Sequence, residues 1–233
     1  MSLVNNLYRF FYSEDYRKNK YKNTIKARLF YLKKFLPSIR NIALDLGCGN
    51  YSTLELFSNV GFKKIIGVDQ LINIENNKNN KIDFVKSDIL EYLKDCNDNS
   101  FDMVSIFDVV EHISLSSIDI LFENIYRVLK PNGSLVIQSP NGSSPLFGSI
   151  FYGDPTHIFC FNEYSLTNLL ISSGFKKEKI NLTECHPVPQ TFFSFFRFIF
   201  WFLVRYFYKI VYLVETGTSP KVLSRVFIIG AYK

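Results

Sequence analysis

The sequence predicts an α/β fold: a doubly wound, mostly parallel, seven-stranded sheet. Three observations carry that prediction. Seven short apolar runs recur along the 233 residues, most of them separated by segments with helical spacing. The first run, Ile42–Leu46, breaks at Gly47-Cys48-Gly49 and leads into an apolar-periodic segment from Ser52, which reads as strand, glycine turn, helix. Acids then stand at or just after later strands, at Asp69, Asp88 and Asp108. In a parallel sheet that is the carboxyl edge, where ligands sit near the topological switch point.

The elements follow in order. Residues 14–36 carry apolar positions at Tyr21, Ile25, Leu29, Leu32, Phe35 and Leu36 and stop at Pro37, predicting a helix. The first strand is 42–46, and the helix over 52–60 has Gly61 as its C-cap. Strands are expected at 64–69 and 82–85, with an Asn/Lys-rich loop at 73–81 between them. A fourth strand covers 102–108, and an amphipathic helix covers 118–129. Pro131-Asn132-Gly133 reads as a turn before a strand at 134–139. A helix at 164–173 with Gly174 behind it, a strand at 179–184 and a last strand at 226–232 complete the pattern. No internal repeat is visible.

With 47% hydrophobic and 21% charged residues, the chain has material for one well-packed domain with appendages. Cys48, Cys96, Cys160 and Cys185 are scattered without C-x-x-C or Cys/His ligand spacing, so reduced thiols and no structural zinc are expected. The first residues show no apolar h-region or small-residue cleavage site, which points to a cytoplasmic protein. Charge is divided by region. Residues 1–40 carry +8, residues 41–187 carry −7 and residues 188–233 carry +5. A nucleic-acid binder with one continuous basic groove does not look like this. Cationic ends around an acidic body suit an anionic substrate or an anionic membrane surface, and equally a solvated, Lys-rich helix.

The post-strand residues describe a ligand. A dinucleotide site needs a phosphate cradle with a third glycine leading into the helix; here that position is Tyr51, and Asp45 overlooks the turn. An acid there repels phosphate and suits an amino group. Asp69 is placed to accept hydrogen bonds from ribose hydroxyls. The ligand so described has a ribose, a cationic or amine end, and no pyrophosphate.

Five ordered motifs then carry a resemblance: LDLGCGN (44–50), GVDQ (67–70), KSDILEYL (86–93), FDMVSIFDVVEHI (101–113) and LKPNGSLVIQSPN (129–141). Over about residues 40–180 the chain resembles the class I S-adenosylmethionine (SAM)-dependent methyltransferases, with their Rossmann-like fold. The resemblance implies that Gly47 and Gly49 line the methionine part of SAM and that Asp69 binds the ribose diol. Asp88 and Ile89 meet the adenine, Asp45 orients the loop and the amino group, and Phe107 contributes at the end of the fourth strand. Cys48 and Asn50 in the same turn, and Gln70 beside Asp69, complete the implied cofactor set. Tyr51 departs from the pattern, since many members carry glycine there. The N/D-P-P-Y of amino-methylating DNA and glutamine enzymes is absent; the chain reads Phe107-Asp108-Val109-Val110. The segment over 154–175, DPTHIFCFNEYSLTNLLISSGF, is similar to one in small methyltransferases of bacterial surface-glycan pathways and turns the substrate expectation toward a sugar hydroxyl.

Methyl transfer to oxygen requires alignment of the nucleophile and removal of a hydroxyl proton, and histidine is the usual base near neutral pH. The chain has three histidines, all expected on the carboxyl edge. His157, in Gly153-Asp154-Pro155-Thr156-His157, is the first candidate for base or substrate anchor, against a loop-packing role. His112 is the second, with Glu111 either orienting it or capping a helix. His186, in His186-Pro187-Val188-Pro189, reads as a turn residue. An enzyme working by proximity alone is the other option. Linear spacing offers no His/Asp/Glu grouping for a metal.

Residues 191–214, TFFSFFRFIFWFLVRYFYKIVYLV, are long enough to span a bilayer, but Arg205 near the centre would cost ~2.5–3.5 kcal/mol, with Arg197 and Lys209 adding to it. On a helical wheel Ser194, Arg197, Trp201, Arg205, Tyr208, Lys209 and Tyr212 share one arc, and Phe, Ile, Leu and Val fill the rest. That predicts an amphipathic helix or a broken pair. It could act as a lid over the acceptor site or pack on the N-terminal helix, form a homodimer interface, or lie in the membrane interface at the inner face of the membrane.

The expected organisation is an N-terminal helical segment (1–40), a SAM-binding core (41–190), the aromatic insert (191–219) and a final core strand (220–233). The expected activity is O-methylation of a sugar or sugar-linked group of a cell-surface polysaccharide precursor, with S-adenosylhomocysteine as product and no nucleic-acid partner. A quinone or other isoprenoid-lipid methyltransferase, and a non-catalytic SAM-binding scaffold, are the alternatives.

Overall fold

The computed structural model describes residues 29–49, 52–71, 79–189 and 191–233. Its strands are β1 (Ile42–Leu46), β2 (Lys64–Val68), β3 (Ile82–Val85), β4 (Phe101–Phe107), β5 (Leu129–Pro140), β6 (Ile180–Glu184) and β7 (Val226–Tyr232). They form one sheet in the order β3-β2-β1-β4-β5-β7-β6. The first five in that order run parallel, and β7 is antiparallel to both of its neighbours. The chain runs outward from β1 to β3 and returns to place β4 against β1, so the switch point lies between β1 and β4.

Helices α1 (Ser52–Asn59), α2 (Ile89–Asp95), α3 (Leu115–Val128), α4 (Phe147–Phe151) and α5 (Glu163–Ser172) come before α6 (Phe192–Thr216). Side chains alternate across each strand, so the sheet is buried on both faces. Leu44, Leu46, Val104, Ile106, Leu135 and Ile137 pack with Ile89, Leu93, Leu121, Phe122, Ile125, Leu166 and Leu170 from α2, α3 and α5. Ala43, Ile65, Met103, Val136 and Ile228 pack on the other face with Leu54 and Phe57 of α1 and with Leu32 and Phe35. Of the helix expected over 14–36, residues up to 28 lie outside the described residues; 29–32 are helical and Lys33–Phe35 form a 3₁₀ turn. Phe35 presses on the sheet so closely that a Cβ on Gly230 would meet its ring at 2.1 Å.

One expectation is corrected, one helix is added and one alternative is decided. Pro131-Asn132-Gly133 does not end an element. β5 begins at Leu129 and carries the turn as a bulge, Asn132 taking φ 64°, while its pairing to β4 jumps from Phe101↔Leu129 to Met103↔Ser134. Helix α2, which no expectation covered, starts at Asp88, whose carboxylate accepts from the N–H groups of Leu90 and Glu91. The aromatic insert is one unbroken helix, capped by Thr191 with Ser194 and closed by Gly217 at φ 73°.

At the edge opposite the expected ligand site, the buried Asp102 carboxylate accepts from the N–H groups of Asn41 (3.0 Å) and Ile42 (2.7 Å) and from Lys130 Nζ (3.0 Å). It fixes where the chain enters β1. Replacing Asp102 with Ala strands two amides and a lysine, and is expected to cost ~3 kcal/mol in urea unfolding. A loss under ~1 kcal/mol would contradict this.

Candidate active site

The carboxyl edge at the switch point is built from backbone as much as from side chains. Gly47 N–H donates to Val68 O (2.8 Å), Cys48 N–H donates to the same oxygen (3.2 Å), and Gly49 N–H donates to Asp69 Oδ2 (2.9 Å). The turn is thereby tied to the end of β2. Gly47 sits at φ 72° and Gly49 at φ 48°, the left-handed region glycine tolerates. A Cβ on Gly47 would also lie 2.3 Å from Val109 Cγ2. Asp69 Oδ1 accepts from Leu71 N–H (2.8 Å), so two amides fix the carboxylate at the tip of β2. Asp45 faces Ser105 across the β1–β4 pair, and the Ser105 hydroxyl donates to it; Asp45 is 1% exposed.

The remaining members of the implied set are placed as follows. Gln70 Nε2 donates to Asp88 Oδ2 (2.6 Å), which links the ends of β2 and β3. Asp88 therefore caps α2 and anchors Gln70 at once, and Ile89 behind it is buried. Phe107 closes β4 and is 8% exposed. The Cys48 thiol packs beneath Gly67, where a Cβ would meet it at 2.8 Å. Burial, then the charges of Asp45 and Asp69, push its pKa up, so it stays a thiol. Asn50 lies outside the described residues.

A second constellation forms beyond β4. Asp108 takes φ 57° and is held by Gln138, whose Nε2 donates to both carboxylate oxygens at 2.8 Å. The 3₁₀ turn Val110–His112 follows. The Glu111 carbonyl accepts from Ile158 N–H (2.7 Å), which draws the segment after α4 onto this turn. His112 and His157 consequently meet, ring centroids 4.7 Å apart. His157 Nδ1–H donates to Phe151 O (2.8 Å), and its ring stacks on Phe151 at 5.5 Å. His112 Nδ1–H donates to Thr156 O (3.2 Å), with the Thr156 hydroxyl 3.0 Å from the same nitrogen. With both Nδ1 atoms engaged by carbonyls, both Nε2 atoms carry a lone pair. His157 Nε2 lies 4.0 Å from Glu111 Oε1.

Electrostatics favour the neutral forms of His112 and Glu111. Burial, and then the neighbouring His157, lower the pKa of His112. Glu111 is 1% exposed and neither of its carboxylate oxygens has a hydrogen-bond partner. Burial, then Asp108, hold its pKa well above the carboxylate range. Asp154 goes the other way: burial opposes its ionisation, but the Thr156 hydroxyl and N–H outweigh that and lower its pKa.

The three candidates named for catalysis, His157, His112 and Glu111, are thus brought together by the fold. Their ligand atoms lie within 4.8 Å of one another, a grouping that can hold a divalent cation. Linear spacing offers no such grouping because the segments that meet are 44 residues apart in the chain. His186 stands elsewhere, packed edge-on to Tyr31 and Phe198, with Tyr31 Oη donating to its carbonyl (2.9 Å). Asp108, Asp154 and Thr156 have no role that the sequence assigns; the left-handed backbone of Asp108 gives no sequence signal.

A raised Glu111 pKa has a sign that can be checked. The folded state keeps the proton above pH 4.5, where the unfolded chain has lost it. The stabilisation is complete below that value and declines as pH rises toward the folded pKa. Glu111→Gln cannot ionise, so its thermal stability relative to wild type is expected to improve from about pH 5 to about pH 8. An equal difference at both pH values would contradict the assignment.

The sheet order, the glycine turn against an acid and the acidic carboxyl edge outline a ligand site at the switch point, and comparison with known proteins gives the family. A family model described as "Methyltransferase domain" matches residues 15–180, and the chain belongs to that family. Phosphoethanolamine N-methyltransferase of Plasmodium falciparum is 38% identical over 77 residues, covering 30% of this chain and 28% of that protein. The mitochondrial ubiquinone biosynthesis O-methyltransferase of Dictyostelium discoideum is 28% identical over 114 residues, 42% of this chain and 35% of that one. The chain therefore matches about a third of the length of these curated relatives. A SAM-dependent methyltransferase from Archaeoglobus fulgidus superposes with TM-score 0.70 at 27% identity, covering 97% of this chain and all of that one.

The chain thus carries a methyltransferase domain with a Rossmann-like seven-stranded fold, similar over nearly its whole length to a SAM-dependent methyltransferase. Its own geometry fits the cofactor. Gly47 lets the turn pass close against Val109, two backbone amides orient the Asp69 carboxylate at the tip of β2, and acids line the edge where a phosphate-bearing ligand would be repelled.

Proposed function

We propose that the chain methylates a hydroxyl oxygen on a sugar or sugar-linked group of a cell-surface polysaccharide precursor, with the His112–His157 pair as base. The observation that carries this reading is the pair itself: two imidazoles at the carboxyl edge, each with Nδ1 bound to a carbonyl, which leaves the lone pair on Nε2. A sugar hydroxyl is a poor nucleophile until its proton is accepted, and neutral imidazole accepts it near neutral pH. When bound, SAM supplies an electrophilic methyl group. The chain's own residues hold the acceptor, take its proton at Nε2 and, by burial, keep His112 neutral beforehand. Two rings this close take one proton between them, and the Asp154 carboxylate, whose pKa both rings help to lower, offsets the cation that forms.

A second reading, an isoprenoid-lipid or quinone hydroxyl as acceptor, is favoured by the exposed aromatic helix α6 and by the name of the Dictyostelium relative. Methyl-labelled SAM given to the protein with a membrane and glycan extract separates the two. Label in the glycan fraction supports the first reading, and label in the organic-solvent lipid fraction supports the second. Activity abolished by EDTA and restored by a divalent cation would replace the base role of the histidines with a ligand role.

A further inference from the structure

Helix α6 is turned the unexpected way round. Its half-buried positions are Ser194, Phe198, Trp201, Arg205, Tyr208, Lys209 and Tyr212, nearly the polar arc of the helical wheel. That arc holds the helix to the body: Arg205 pairs with Glu184 (2.6 Å) and donates to Lys221 O (3.0 Å), and Tyr212 Oη donates to Ser143 O (2.8 Å). The apolar arc faces outward. Phe193 is 81% exposed, Phe200 and Leu203 60%, Phe207 61% and Val214 80%, and no residue of the helix is buried. An apolar surface of this length is not left to water.

Beneath the helix lies a cleft of about 340 Å³ between α6, Pro145–Leu146, Cys185–Pro187 and Leu223–Val226. Arg197, Arg205 and Arg225 line it, and no acid does. Among the described residues the side chains of Arg197 and Arg225 have neither an ion pair nor a hydrogen bond. Uncompensated cations beside a bare apolar face are what an anionic bilayer surface complements. A second copy would bring the same cations against themselves across a two-fold axis, in a region, 188–233, that already carries +5. Among the described residues no helix is long and apolar enough to cross a membrane, so α6 would lie in the plane.

We propose that α6 docks the protein on an anionic lipid surface, its outward Phe/Leu face entering the interface and the Arg197–Arg205–Arg225 cleft taking a headgroup phosphate. The proposal stands whichever acceptor is methylated. The docked edge is also the one that carries the histidine pair, so an acceptor anchored in the bilayer would be presented to it.

The test is flotation of the full chain with vesicles of phosphatidylcholine, alone or mixed with phosphatidylglycerol, with SAM affinity as a check on folding. Wild type is expected to float with the mixed vesicles and to be released as salt rises. Arg197→Gln with Arg225→Gln should weaken that binding about thirtyfold, roughly fivefold per cation, and leave SAM affinity unchanged. Phe200→Ser with Phe207→Ser should weaken it on either vesicle. Failure to float with mixed vesicles overturns the proposal, as does wild-type binding by the arginine variant. A concentration-dependent dimer without lipid binding assigns the face to a second copy and also overturns it. Inorganic phosphate that binds the cleft without any vesicle binding leaves a free-anion site and removes the membrane role.

Discussion

Gly47→Ala is expected to lower SAM affinity about tenfold or more while the protein stays folded. Two costs add at that position. The backbone is left-handed, at φ 72°, which costs a non-glycine residue roughly 1–2 kcal/mol. The new methyl would also stand 2.3 Å from Val109 Cγ2, so Val109, at the start of the turn that carries Glu111 and His112, must move. The control is Gly61→Ala. Its φ is 94°, yet nothing lies within 4 Å of where the added Cβ would stand, so it should show the strain in stability and none of the loss in affinity. Calorimetric titration with SAM measures both. Equal affinities for the two variants would mean that the Gly47 turn does not face the cofactor.

His157→Asn is expected to lower kcat by ~10²–10⁴ at unchanged SAM affinity. Asparagine can still donate to Phe151 O, so the local fold is kept while the basic Nε2 is lost. His112→Asn should behave similarly, because the pair takes a single proton. The pH dependence has a definite sign. A base must be unprotonated, and the pKa of His112 is lowered below 6.5. Activity should therefore rise with pH through a value below 6.5 and be flat at neutrality. Near-wild-type turnover in both variants would leave an enzyme that works by positioning alone.

The strands are legible in the sequence because each is a short apolar run ending in a turn or an acid, and burial on both faces makes parallel strands read that way. Helix α2 is too short for periodicity to show. Its signal is the cap, Asp88 three residues before Glu91, and an acid just after a strand reads equally as a ligand position. Asp45, Gly47, Asp69 and Gln70 lie in one local motif each, so sequence order suffices to bring them to the edge. The Glu111–His112–His157 cluster is not legible as a cluster. It depends on bonds between segments far apart in the chain, Ile158 N–H to Glu111 O and His112 to Thr156. The direction of α6 is hidden for a different reason. Periodicity separates two faces but does not say which turns inward, and here Glu184 and Ser143 recruit the polar one.

The central claim is that the histidine pair prepares a sugar hydroxyl for methylation, and the product bond tests it most directly. The glycan fraction made with methyl-labelled SAM should carry its label as an ether that survives mild alkali and is released as a methoxy sugar, with little formed by His157→Asn. Label lost to alkali as methanol, or recovered on an amine, would contradict it.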